Sequence, residues 1–191
     1  MTRQGVEIRP LPHASILVID LEATCSDDEN IKGSDMEIIE IGACWINHQG
    51  MILDTFQSFV RPVVNRKLTQ FCTELTTITQ DQVDKAPTFD QVGPVLQEFS
   101  LRHLQDNSIW ASWGNYDKVQ FEYDSARHGV ENPTGHLAHA NLKKLFAKQR
   151  NIKRVGMMGA LRLLKIPHSG SHHRALDDAL NIGAILNIMR T

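Results

Sequence analysis

Ile16, Leu17, Val18 and Ile19 form an unbroken apolar run that ends at Asp20, with Glu22 two positions later. A short continuous run of this kind reads as a central strand covered on both faces. "EIIEIGACWI" and "MILDTFQSFV" are strand-rich segments on either side of the turn residues Asn47 to Gly50, and they predict a hairpin beside the first strand. Residues 66–105 change to helical spacing, interrupted at Pro87 and Pro94, before "NSIWASWG" returns to strand. Helices are predicted at about 115–129, 141–149 and 155–164, and a last one from about 173 to the end. Strands first and alternating helices afterwards predict an α/β domain with a mixed central sheet flanked by helices.

A length of 191 residues with 41% hydrophobic content suits one globular unit. No repeat or Pro/Gly/Ser linker divides it, so we expect residues 1–14 as an N-terminal extension and 15–191 as a single domain. The first thirteen residues lack an apolar signal core, and no stretch approaches the ~18 apolar residues of a membrane span. A cytoplasmic protein without a membrane partner is the expectation. Cys25, Cys44 and Cys72 lie far apart without a Cys-x-x-Cys pair, which argues against a disulfide framework and a structural zinc site. The net charge of −2 rules out a globally basic coat, so any polyanion must be held by a local patch or by bound metal.

Carboxylates at the carboxyl end of a central strand occupy the edge where open α/β sheets place their sites. Asp20 and Glu22, two apart on extended chain, point to one side; alone, they also suit an acidic strand-to-loop transition. "SWGNYD" sets Asp117 just past the next predicted central strand, and "HHRALDDA" sets His172, His173, Asp177 and Asp178 at the opening of the final helix. Three separated segments thus bring acid to one sheet edge. Clustered carboxylates repel one another unless cations neutralise them, and hard oxygen ligands favour Mg²⁺ or Mn²⁺ over zinc. Two such ions suit in-line phosphoryl displacement, with a neighbouring histidine taking a proton from water.

"DLEATC", "EIIEIGAC", "FCTELTTITQDQVDKAPTF", "SWGNYD" and "HHRALDDA" together resemble the DEDDh 3′→5′ exonucleases, and within them the Eri-type exoribonuclease branch, over about residues 15–188. The resemblance implies an RNase H-like fold and removal of nucleoside 5′-monophosphates from nucleic acid with a free 3′-hydroxyl, RNA favoured and single-stranded DNA a second substrate. It implies two divalent cations, Mg²⁺ or Mn²⁺, held by Asp20, Glu22, Asp117 and Asp178, with His173 as general base. Helical spacing alone would stack His173 over Asp177, whereas the family pattern selects Asp178; a histidine just ahead of a helix need not follow its period. His172, Asp177 and Glu40 read as neighbours or supporting residues. Asn115 departs from the family at a position where a second acid is often expected, and at this length we expect no separate nucleic-acid-binding domain of the kind found in some larger relatives. Two other readings stay open: a proofreading-like DNA exonuclease, and a regulatory protein on the same fold, whose signature would be a lost ligand.

Ala23 and Thr24 directly follow the first acidic pair and are expected to line the terminal nucleotide's pocket. Trp113 and Tyr116 flank the third motif, where aromatic faces stack on unpaired bases, although core packing suits them equally. "NLKKLFAKQRNIKR", residues 141–154, carries six Lys/Arg and no acid. That composition suits either a phosphate track or a solvated helix face. Asp27, Asp28 and Glu29 fall in a polar loop.

Overall fold

Ile16–Ala23 (β1) forms the centre of a five-stranded sheet in the computed structural model, which describes residues 11–28 and 30–190. Most of the N-terminal extension, Glu29 and Thr191 lie outside the described residues. β2 (Ile38–Ile46) pairs antiparallel with β1 and with β3 (Ile52–Phe59), so the expected hairpin is present. Its turn closes by Gly50 N–H donating to Asn47 O at 3.1 Å, and Gly50 takes the left-handed φ of 81° that glycine adopts without a Cβ penalty. β4 (Ile109–Ser112) pairs parallel with β1, and β5 (Ala138–Asn141) parallel with β4. The order β3-β2-β1-β4-β5 is a mixed sheet. β5 is four residues, "AHAN", with no β-branched side chain; its pairing with β4, not its own propensity, makes it a strand.

Alternation along the strands divides the core in two. Ile16 and Val18 of β1 join Cys44 and Ile46 of β2 under α5 (Leu142–Gln149), α6 (Met157–Leu164) and α7 (Ala175–Arg190). Leu17, Ile19 and Leu21 join Ala43 and Trp45 on the other face, under α3 (Phe89–Leu101) and α4 (Tyr116–His128). The segment after β3 supplies α1 (Gln70–Thr76), α2 (Gln80–Asp84) and α3. Pro87 precedes α3, but Pro94 sits inside it and does not break it. Proline forfeits one backbone hydrogen bond there. Buried Phe89, Val92, Leu96 and Phe99 hold the helix on the sheet despite that loss.

Candidate active site

β1 alternates, so Asp20 and Glu22 continue the face that carries Ile16 and Val18, at the strand's carboxyl end. Glu40 of β2 is paired directly opposite Glu22, and Gly42 opposite Asp20. α4 begins at Tyr116, which brings Asp117 into its first turn, where the Leu21 N–H donates to Asp117 Oδ1 at 3.2 Å. α7 begins at Ala175 and carries Asp178 in its first turn. Its entry rests on Gly42, because a Cβ at that position would stand 2.1 Å from the Ala175 carbonyl carbon.

Glu22, Asp117 and Asp178 are buried. Burial, followed by the charges of Asp117, Glu22, Asp178 and Glu40, pushes the Asp20 carboxyl well above the usual range. The same causes, burial first and then Asp178, Glu40 and Asp117, raise Glu22 to about 8. Asp117 is raised only to about 6, because burial is opposed by hydrogen bonds from the Ser112 side chain and the Leu21 backbone and by the charge of Lys143. Carboxyls raised by burial and, at Asp20 and Glu22, by neighbouring acids form a donor set that a cation would complete.

Glu22, His173 and Asp178 offer ligand atoms within 4.8 Å of one another, and so do His168, His172 and Asp178. Asp20 and Asp117 lie outside both groups and join them through charge. Asp178 Oδ2 is held by the His173 N–H at 3.1 Å and lies 2.9 Å from His172 Nδ1. Its other oxygen, Oδ1, is buried without a hydrogen-bond partner, 3.8 Å from the equally unpartnered His168 Nε2. An orphaned carboxylate oxygen beside two histidines and a second acid fits a divalent cation. His173 precedes α7 with a φ of 63° and turns its Nδ1 to within 4.0 Å of Glu22 Oε1. Asp177 faces elsewhere, accepting from the Ser171 N–H at 2.8 Å.

Two residues of this segment gain their place only in three dimensions. Arg174 donates to the fully buried Glu40 through Nε at 3.1 Å and Nη2 at 2.8 Å, and Glu40 also accepts from the Ala175 N–H and from Gln57 Nε2. Glu40 is thus the latch that fixes the start of α7. His168 stands ahead of the "HHRALDDA" motif, and no spacing rule links it to Asp178.

The remaining predicted residues are distributed around this centre. Thr24 is buried and exchanges two hydrogen bonds with the Glu37 backbone, its N–H donating to Glu37 O and its Oγ1 accepting from Glu37 N–H. Ala23 is buried, and its carbonyl accepts from Cys72 Sγ at 3.6 Å. Trp113 packs on Phe146 at 5.7 Å and donates to Val155 O at 3.1 Å. Tyr116 is exposed, its hydroxyl 3.8 Å from Met36 Sδ.

Residues 17–186 match the family model described as RNase_T: Exonuclease. Human 3′-5′ exoribonuclease 1 is 34% identical over 177 residues, covering 89% of this chain and 50% of the relative. Human ERI1 exoribonuclease 3 is 34% identical over 193 residues, covering 97% of this chain and 56% of the relative. The chain therefore spans about half the length of these curated relatives. The nuclease domain of 3′hExo, a DEDDh family member, bound to rAMP, superposes with a TM-score of 0.83 at 31% identity, covering 95% of this chain and 94% of that one. Matched over residues 17–186 by that family model and over nearly its whole length by that nuclease domain, this chain belongs to the DEDDh 3′→5′ exonuclease family, in the branch of the 3′hExo-type exoribonucleases.

Proposed function

We propose that the protein is a metal-dependent 3′→5′ exonuclease that releases nucleoside 5′-monophosphates from single-stranded RNA, with residues 15–191 as its exonuclease domain. The observation that carries this reading is the convergence of Asp20, Glu22, Asp117 and Asp178 from three separated segments, with burial raising the first three and repulsion from the neighbouring acids adding to it at Asp20 and Glu22. In this reading they hold two divalent cations, Mg²⁺ or Mn²⁺. When bound, the ions supply charge neutralisation at the scissile phosphate and acidify the attacking water. His173 takes the proton from that water: burial and His172 lower its pKa, so the ring is neutral and ready to accept at pH 7. Its neighbour Arg174, latched to Glu40, keeps it at the mouth of the cluster. Ala23 and Thr24 shape the pocket for the terminal ribose, and Tyr116 and Trp113 offer aromatic faces to the bases. The free Cys25, Cys44 and Cys72 suit a reducing, cytoplasmic compartment. Among the described residues no helix is long and apolar enough to cross a membrane.

A 5′-labelled RNA ending in a 3′-hydroxyl should be shortened one nucleotide at a time with Mg²⁺ or Mn²⁺ and stay intact with chelator. A 3′-phosphate should make it much more resistant, and Asp20→Ala should abolish shortening in a folded protein. Internal cleavage, equal attack on both ends, or no cleavage with either metal would overturn the reading.

A further inference from the structure

Away from the carboxylates lies an open cleft of about 600 Å³, lined by Lys144, Lys148, Lys153 and Arg154 around Ala147 and Ile152. No acid lines it. Lys144 and Lys148 are one turn apart on the same face of α5. Asn151 then adopts a left-handed φ of 52°, and the Ile152 N–H reaches back to Ala147 O at 3.0 Å, a helix-ending turn that brings the following residues round to the same cleft. The far end is pinned by Trp113 Nε1 donating to Val155 O. The cations therefore stand on two fixed walls, not on a loose tail. Within the described residues no ion pair draws off the charge of Lys144, Lys153 or Arg154. Like charges gathered this way repel, and an anion spanning them relieves the repulsion.

The cleft is tied to the candidate active site through α5. Asn141 caps this helix and bonds Asn115 Oδ1 at 2.8 Å, two residues before Asp117, while the charge of Lys143 in the first turn acts on Asp117. The cleft begins beside that end of the helix, at Lys144, and follows it for about 6 Å to Lys148, at ~1.5 Å per residue. A stacked strand advances ~3.4 Å per nucleotide, so the Lys144–Lys148 wall spans about two nucleotides. The lining contributes long cationic side chains to the cleft, a chemistry suited to phosphate.

We propose that this cleft binds the sugar-phosphate backbone of the same single-stranded RNA on the 5′ side of the bond being cut, so that affinity depends on the length of the RNA more than on its sequence. The proposal rests on the exonuclease reading above and adds a second handle on the substrate.

The test compares 5′-labelled RNAs of three and twelve nucleotides with the Mg²⁺-loaded protein and a Lys144→Gln, Lys153→Gln, Arg154→Gln triple variant, with Lys143 left in place because its charge acts on Asp117. For the longer RNA the triple variant should raise KM roughly 10- to 30-fold and flatten the dependence of log KM on log salt by about 2, at ~0.7 per phosphate contact. Its kcat should stay within about twofold, because no carboxylate of the site lines the cleft, and KM for the trinucleotide, which has fewer phosphates to engage it, should rise by less than about threefold. The variant Lys144→Arg, Lys153→Arg, Arg154→Lys, which keeps the charge, should behave as the parent. Equal losses on both lengths, or an unchanged salt slope, overturn the proposal while leaving the exonuclease reading intact; the cleft then passes to an acidic protein segment. Failure of the parent protein to shorten either RNA overturns both.

Discussion

His173 holds a backbone conformation that non-glycine residues seldom adopt, and three neighbours keep it there: Asp178 through its N–H, His172 stacked at 3.9 Å, and Arg174 anchored on Glu40. Its Nδ1 meets Glu22, whereas the ring of His172 meets Asp178. The two adjacent histidines thus address different carboxylates. His173→Ala should reduce kcat by roughly 10²–10⁴-fold while metal and RNA still bind, because only proton transfer is removed. His172→Ala should change kcat by less than about tenfold, because Asp178 keeps the His173 N–H. Burial and His172, partly offset by Asp178, hold the His173 pKa below the ordinary 6.5. At saturating cation the single-turnover rate should therefore fall as pH drops through a midpoint below 6.5 and lie flat above it. A midpoint above 7, or equal losses in both variants, would exclude His173 as the base.

At the scale of elements, the site depends on how closely α7 approaches the sheet. Gly42 makes that approach possible, and the latch between Glu40 and the Arg174–Ala175 segment fixes it. Gly42→Ala would push a methyl group into the Ala175 backbone, so α7 must shift and carry Asp178 and His173 with it. The expected outcome is a loss of about 1–3 kcal/mol in unfolding free energy and a drop in kcat of at least about tenfold, read by chemical denaturation and single-turnover rates. Gly93→Ala serves as the contrast. A Cβ there comes no nearer than 3.8 Å to Phe89, and within α3 alanine should gain up to about 1 kcal/mol. If both variants kept full activity, the close approach at Gly42 would not control the site.

For the whole molecule, the raised carboxyls couple stability to pH in the metal-free protein. An acid whose pKa is higher folded than unfolded binds more protons in the folded state between the two values. Stability is therefore greatest at low pH within that window and falls as pH rises from about 4 through the folded value, about 8 for Glu22. In chelator, the thermal midpoint should decline from pH 5 towards pH 8.5. Saturating Mg²⁺ or Mn²⁺ should raise it more at pH 8 than at pH 5.5, because cation and protons compete for the same oxygens. A metal-induced rise that is independent of pH would mean that these carboxylates do not take up the ion.

The sequence by itself determined the central strand, the hairpin and the chemistry each motif carries, because apolar runs, turn residues and acids at strand ends are local signals. Pattern also located the principal helices. It stopped at Pro94, where burial of α3's apolar face outweighs one lost hydrogen bond, and at β5, which is a strand only because β4 lies beside it. The acids were legible as three separate segments, but their shared burial and repulsion exist only once β1, α4 and α7 meet. Helical spacing favoured Asp177 over Asp178 for His173; the fold turns Asp178 inward because His173 lies before the helix and bends there on a left-handed backbone. The basic stretch at 141–154 was legible as composition, and His168 is near Asp178 in sequence, but the turns that bring each to its place were not. The Glu40–Arg174 latch needed tertiary structure, because its partners are 134 residues apart along the chain and no local period encodes a contact at that range.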